Sequence, residues 1–450
     1  DMFKKMPFPF TFKVFLFDIK NPEEIMQGAK PIVKETGPFV YKVHKWNSDI
    51  KWEGPDDISY YAYTRFEFDE DASGRYTEDY KLTILNTPYL GMLLKVAETQ
   101  AAALPMVEGV LADIFKENDG LFIKVKVKDY LFDGLRMCEN EGKGGDFAAG
   151  LVCKQVMAQA GDSKNLRVEN NSVLFANLHY KNDTHLGRFT IKAGVKNREE
   201  SAHLALYNNQ SYSTVWEGEK SICNRIEGLS TTVFPVNIEK DMIFESFAED
   251  ICRRMKLTYK MDETVKGLKG YKFTAANDSF SLKNKNNTCY CNNKSTLLDG
   301  NLGCVKDGIT DLSTCTGSPV MVSFPHLLYA DKEYLNSVDG LHPDSLKHES
   351  FVILEPLSGF PLSLAQRVQF NIFLRPIEDS EIMANVSRAL FPLIWIEETL
   401  QLDDKFTDML KNKLFKALDI VNIIKWIGIA SGSACVLLSI FLAIYNNKAS

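Results

Sequence analysis

His326 and His342 each stand within a few residues of a carboxylate, Asp331 and Asp344. These are the residue types of an acid/base pair, which must reach a substrate proton and be oriented by a further group. The chain supplies no frame for such chemistry. It holds no Gly-x-Ser-x-Gly elbow, no His-Glu-x-x-His, no phosphate-binding glycine loop and no dinucleotide fingerprint. Both histidines read as satisfied surface or core groups. No catalytic residue and no cofactor is assigned, and an enzyme is not expected.

Thiols are the second chemical resource: Cys223, Cys252, Cys289, Cys291, Cys304 and Cys315 cluster together. Zinc is a weak alternative for Cys289, Cys291, Cys304 and Cys315, because the paired Cys-x2-Cys knuckles of a tetrahedral site are missing. The sequons at Asn277, Asn286 and Asn293 lie inside the cluster, so the segment can face the secretory lumen. An even set of close cysteines in that compartment reads as a disulfide framework. Four more sequons, at Asn170, Asn182, Asn209 and Asn385, bring the total to seven, against about three expected by chance. Cys138 and Cys153 bracket the glycine-rich stretch Glu141–Gly150. They can form a further bridge or be buried as separate thiols.

These residues need a compartment and a scaffold. Trp426 to Asn447 carry no charge, and a run of that length spans a hydrocarbon core. Trp426 and Tyr445 stand near its ends, where amphipathic aromatics favour the interface. A buried core helix and a lipid-anchor signal are the alternatives; against the second, Ser431, Gly432 and Ser433 sit within the apolar run, with no polar spacer after them. Lys411, Lys413, Lys416 and Lys425 precede the run and only Lys448 follows, which by charge alone would leave the large domain cytosolic. The sequons and cysteines outweigh that tendency, since large domains translocate largely regardless of flanking charge. The expected organisation is an extracellular ectodomain over 1–424, a membrane helix over 425–447 and a cytoplasmic stub over 448–450. A lumenal domain needs an upstream signal, so an N-terminal membrane helix absent from this chain is expected as well.

The composition is 45% apolar and 25% charged with a net charge of −7, which offers no basic face for nucleic acid. No low-complexity linker or repeat divides the ectodomain. Phe12, Val14 and Leu16 against Lys13, Phe15 and Phe17 predict a strand apolar on both faces. Ile123, Val125 and Val127 against Lys124, Lys126 and Lys128 predict a half-buried one. Phe351–Leu354 and Val368–Leu374 add two more. Helical spacing appears in Leu93, Val96, Ala97, Ala101 and Leu104, and after Pro105 in Val107, Val110, Leu111, Ile114 and Phe115. Another amphipathic helix is predicted around 405–418. The fold class is mostly antiparallel β with a helical insertion near 88–135.

Several runs resemble the class B scavenger receptors. They include Asn21-Pro22-Glu23-Glu24 through Gly37-Pro38-Phe39-Val40-Tyr41, Ala248-Glu249-Asp250-Ile251-Cys252-Arg253 and Pro325-His326-Leu327-Leu328-Tyr329. Asp339-Gly340-Leu341-His342-Pro343 and Glu355-Pro356-Leu357-Ser358-Gly359, with Arg367, Gln369 and Asn371 beyond, complete the set. Within that family the extra cysteine pair, Leu393-Ile394-Trp395-Ile396-Glu397-Glu398 and the tail Asp404 to Phe415 are most similar to the insect sensory neuron membrane proteins. The resemblance implies a two-span protein with both ends cytosolic, and a large β-barrel ectodomain crossed by an apolar tunnel and capped by a helical bundle. It implies the bridges Cys223 with Cys289, Cys252 with Cys315, and Cys291 with Cys304.

For function the resemblance implies a receptor in the ciliary membrane of olfactory sensory neurons. It would take a hydrophobic ligand, a pheromone or fatty-acid derivative, and pass it through the tunnel to the bilayer or to an odorant receptor complex, with an odorant-binding protein as a further partner. A chain of a dozen methylenes gains roughly 10 kcal/mol on leaving water, so passage needs a continuous apolar path and no bond-making. Phe115 and Lys116 are the expected tunnel mouth, an aromatic wall beside a cation for a ligand's oxygen; a solvated helix-end lysine is the alternative. A general lipid or lipoprotein uptake receptor is the second reading and an ecto-hydrolase the third.

Overall fold

The computed structural model describes residues 3–139, 146–229, 234–402 and 404–449. The chain divides into two compact units after Leu400. The first is built on one antiparallel sheet of thirteen strands among the described residues.

The alternating run around Val14 forms the strand Phe10–Ile19. It pairs on one side with Val33–Trp52 and on the other with Ala389–Gln401. Beyond Val33–Trp52 the sheet continues through Asp57–Phe68 and Thr184–Lys192 to the edge strand Leu204–Tyr207. In the other direction it runs through Pro361–Leu374, Phe351–Leu354, Leu268–Ala275 and Arg253–Val265 to the edge strand Ile243–Ala248.

A sheet this wide curls, and unpaired edges are unfavourable. The two edges meet through one short segment. Leu204 N–H donates to the Gly228 carbonyl at 2.7 Å, and Leu229 N–H donates to the Glu245 carbonyl at 2.6 Å. The result is a nearly closed, barrel-like sheet.

Both faces of its central strands are covered, as the Phe12 to Phe17 pattern predicts. Phe12, Val14 and Leu16 are buried on one face; on the other, Phe15 stacks on Trp395 with ring centroids 3.8 Å apart. The expected half-buried strand is Phe122–Lys126, paired with Lys81–Leu85. The helical region comprises Thr87–Thr99, Leu104–Glu108 and Leu111–Phe115, the second carrying Pro105 in its first turn. It does not fill 88–135, because the chain turns to strand at Phe122. A further helix, Phe147–Gln159, follows instead. That helix has no clean apolar stripe to announce it; the Cys138–Cys153 bridge ties it down. Residues 140–145 of the glycine-rich stretch lie outside the described residues.

Three more disulfides join Cys223 to Cys289, Cys252 to Cys315 and Cys291 to Cys304. The first two close loops of 66 and 63 residues. Each restrains the unfolded chain by roughly 4 kcal/mol on a chain-entropy account.

The second unit holds the helix Lys416–Ala449. Its segment Asp419–Leu442, 24 residues, is about 36 Å long at the α-helical rise and is long and apolar enough to cross a bilayer. Ile423, Trp426, Leu437 and Phe441 on it are exposed, as a lipid-facing surface requires.

Candidate functional site

Strand side chains alternate between faces, and in this barrel one alternating set leaves a space. Tyr60, Ala62, Thr64 and Phe66 line it from one strand, and Leu364, Gln366, Val368 and Phe370 from another. Ile394, Ile396, Glu398 and Leu400 line it from a third. Phe8, Phe10 and Phe12 add aromatic wall, and Leu204, Leu229 and Phe247 approach from the seam. The cavity measures about 580 Å³, within the range of roughly 300–1,000 Å³ typical of small-molecule sites. Among the described lining residues only Lys164 and Gln366 are exposed; the rest are buried or half-buried.

The lining is mainly apolar, with polar side chains such as Asn47, Asn165, Thr316 and Gln366 interspersed and a group of charged ones in one corner. Lys181 forms an ion pair with Asp250, and the Tyr180 hydroxyl donates to Asp250 Oδ1 at 3.4 Å. Lys164 places its ammonium 6.0 Å from the Tyr180 ring centroid. Burial works against the charges of both Lys181 and Asp250, yet each holds the other ionised: the lysine is raised above its ordinary range and the aspartate lowered. Glu249 differs. Burial, and then the neighbouring Asp250 charge, push its carboxyl up. Apart from its own backbone it has no hydrogen-bond partner among the described residues. Also on the lining, Lys45 pairs with Glu398 and covers the Phe10 ring at 4.6 Å.

The other face of the same strands carries the polar residues of the sequence motifs. His326 N–H donates to Gln369 Oε1 at 2.7 Å, and Asn371 Nδ2 donates to Ser323 Oγ at 3.0 Å. Arg367 Nε donates to Glu397 Oε2 at 2.6 Å. Gln369 and Asn371 seat the segment Val320–Leu328 against the barrel wall, and none of these residues lines the cavity. Neither neighbouring aspartate pairs with a histidine side chain: Asp331 and Asp344 cap short helices, accepting from Glu333 N–H and Leu346 N–H at 2.9 Å. His326 instead meets Glu35 at 2.5 Å, 291 residues away.

The expected mouth residues lie elsewhere. Phe115 is 1% exposed and packs on Tyr89 with ring centroids 5.1 Å apart. Helical spacing puts it on the same inner side as Leu111 and Ile114, so it is core rather than an aromatic wall, a correction to the sequence expectation. Lys116 is exposed at the end of that helix with φ +49°. Its ammonium donates to the Glu139 carbonyl at 2.6 Å. Neither residue lines the cavity. Sequence reasoning passed over Lys164, Tyr180, Lys181 and Glu249 as site residues. The available signal was the Glu249-Asp250 pair following the apolar strand Ile243–Ala248. The sequons stand on the surface: Asn170, Asn209, Asn277, Asn286, Asn293 and Asn385 are exposed, and Asn182 is half-buried.

A nearly closed antiparallel barrel around an apolar cavity, joined to a membrane-spanning helix, defines a membrane protein of one known class. The model of the CD36 family matches residues 1–443, and the chain belongs to that family of class B scavenger receptors. Its relatives include sensory neuron membrane protein 1 of Apis mellifera, 33% identical over all of this chain and 83% of the bee protein. Sensory neuron membrane protein 2 of Heliothis virescens is 31% identical over 94% of this chain and 81% of its own length. The protein of that name in Drosophila melanogaster is 29% identical, covering 98% and 89%.

Proposed function

We propose that this protein is an olfactory co-receptor that takes a long-chain hydrophobic odorant or pheromone into its ectodomain cavity and delivers it to the membrane or to an odorant receptor. The observation that carries the reading is the apolar cavity of about 580 Å³ enclosed by the barrel. Each methylene moved there from water gains about 0.8 kcal/mol, so the site can hold an acyl chain with no catalyst. The sensory-neuron names of its relatives support a chemosensory setting. The exposed sequons and the disulfides support an extracellular ectodomain, and the proposed setting is the ciliary membrane of a sensory neuron. Lys116, exposed on the helical cap, is retained as a first contact for a ligand's polar end or for an odorant-binding protein.

The test is to fill the cavity. Ala62→Trp and Ala248→Trp each place an indole on a lining position. Neurons expressing either variant in place of the native chain are expected to lose their response to long-chain odorants, with surface expression intact. Undiminished responses refute the reading. Lipoprotein uptake by cells expressing the native chain, without an effect on neuronal response, favours the general scavenger role.

A further inference from the structure

The strands of the large sheet turn at two ends, and one of these is where the chain departs toward the bilayer-crossing segment. Phe10–Ile19 begins at that end and Ala389–Gln401 finishes there, since Thr11 faces Thr399. Val33–Trp52 runs past it, Val43 facing Phe10, and returns as Asp57–Phe68 in a hairpin in which Trp52 faces Ile58. Asp57 in turn faces Lys192, so the connection onward to Leu204 turns at the same end. The seam bonds from Leu204 to Gly228 and from Leu229 to Glu245 carry the direction across to Ile243–Ala248. The hairpin joining Arg253–Val265 to Leu268–Ala275 therefore turns there too, as does the link from Leu354 to Pro361. From this end Gln401 leads on to Asp419–Leu442.

Ile50, Trp52, Val195, Ile243, Met261 and Leu357 are exposed along this rim, Trp52 at 60%. Single exposed apolar residues are ordinary, but a set gathered on one rim marks an interaction surface. Both hairpins also carry a bulge, the device by which a strand re-aims its side chains. One lies between Ser48 and Lys51, with Asp49 at φ +49°, and the other between Tyr259 and Met261. We propose that this rim rests in the interfacial layer of the bilayer, with Trp52 and Met261 of the two hairpin tips immersed at the boundary of head groups and acyl chains. Tryptophan favours that layer, where its ring is apolar and its N–H stays wet. Neighbouring charges are largely spent on one another, Lys51 with Asp49, Lys192 with Asp57 and Lys240 with Asp262, so the surface fits uncharged lipid and needs no anionic head group. The tether from Gln401 makes the contact intramolecular, and weak insertions then suffice. This inference goes beyond the reading above and holds whatever the cavity carries.

The experiment reads tryptophan fluorescence of the full chain, one copy per nanodisc, in phosphatidylcholine and in phosphatidylcholine brominated high on its acyl chains, bromine quenching an indole on contact. Subtracting the spectrum of Trp52→Phe from that of the native chain isolates residue 52. Met261→Trp in the Trp52→Phe background reports the second hairpin. Phe147→Trp is the control, 81% exposed on a helix packed in the helical region. That region follows Lys81–Leu85 at the opposite end of the sheet, where Thr83 N–H donates to Asp18 Oδ1 at 3.0 Å. All three positions are exposed, so the substitutions leave the core untouched. The indoles at 52 and 261 are expected to lose most of their emission in brominated discs and the indole at 147 none, and added phosphatidylserine is expected to change neither result. An unquenched indole at either 52 or 261 overturns the proposal, as does equal quenching at 147 or quenching at 52 that requires phosphatidylserine. A blue-shifted Trp52 emission that bromine leaves intact, and that arises only in discs holding two chains, assigns the rim to a second copy of this chain and overturns it as well.

Discussion

The imidazole of His348 lies face to face with that of His326, ring centroids 4.4 Å apart and planes 12° from parallel. His342 N–H donates to His326 Nδ1 at 3.0 Å, which leaves Nε2 to carry the proton toward Glu35. Trp395 Nε1 donates to the same carboxylate at 2.8 Å. Asp344 N–H donates to His348 Nδ1 at 3.0 Å, so the Nδ1 of each ring takes a backbone hydrogen.

Acid should therefore weaken the fold through this stack. Burial, and then the adjacent His326, lower the His348 pKa to about 4 from an ordinary 6.5. The unfolded chain takes up this proton more readily than the folded one. The stabilisation is fully present above pH ~6.5 and is lost as the pH falls toward 4, with a ceiling on the order of 3 kcal/mol. Burial alone would raise Glu35, but its contacts with His326 and Trp395 prevail and lower it; it too loses its contribution as the pH falls, through its own lowered pKa. Thermal melts of the full chain are expected to show Tm declining over this window and a shallower decline in His348→Asn. An equally steep decline in the variant would exclude this imidazole as the cause.

The opposite face of the cavity wall carries a second testable pair. Arg367 and Glu397 have side chains 10% and 8% exposed, with Lys13 on the other carboxylate oxygen at 2.8 Å. Removing one member of a buried pair costs roughly 3–5 kcal/mol, whereas replacing both with apolar groups is often nearly neutral. Arg367→Met is expected to destabilise by about 3 kcal/mol, and Arg367→Met with Glu397→Leu to recover most of that. Chemical denaturation in a double-mutant cycle measures it; strict additivity would mean that the pair acts as two independent surface charges.

The strands and the polar motifs were legible because their causes are local. The run around Val14 specifies a strand apolar on both faces and the alternation around Val125 a half-buried one, whatever lies beyond them, and cysteine spacing with the family likeness implied the pairs now seen in the four-bridge structure. The cavity was not legible. Tyr60, Leu364 and Ile394 are apolar strand residues like those of a filled core, and only the curvature of the whole sheet decides that a gap lies between them. Phe115 misled for the same reason: an aromatic at a helix end has one sequence appearance whether it faces a mouth or Tyr89. The Glu249 corner required Lys181 and Asp250, 69 residues apart, to be brought together.

Asn182 should differ from the other sequons. Its Oδ1 accepts from Phe66 N–H at 3.0 Å, whereas the other six asparagines are exposed. Glycopeptide mass mapping of the chain made in insect cells is expected to find glycan on exposed sites and little on Asn182. Asn182→Ala should cost about 1 kcal/mol through the lost hydrogen bond. Full occupancy at Asn182 would show that this turn opens before folding is complete, and absence of glycan from all seven would argue against a lumenal ectodomain.

Gly228 is the position on which barrel closure turns. Its φ of +113° disfavours any L side chain, and a Cβ there would stand 2.3 Å from the Glu245 carbonyl oxygen. That carbonyl accepts from Leu229 N–H, while the Gly228 carbonyl accepts from Leu204 N–H, so a methyl group would push apart the two bonds that join the sheet edges. Gly54 supplies the comparison: its φ is +89° and nothing lies within 4 Å of its Cβ position. Gly54→Ala should therefore cost the backbone strain alone, about 1–2 kcal/mol, and Gly228→Ala that strain plus the seam. Hydrogen exchange is expected to show faster exchange of the Leu204 and Leu229 amides in Gly228→Ala only. Because Leu204, Leu229 and Phe247 also line the cavity, hexadecane binding should weaken in the same variant. Equal protection in both variants would mean that the edges are held by contacts other than this pair of hydrogen bonds.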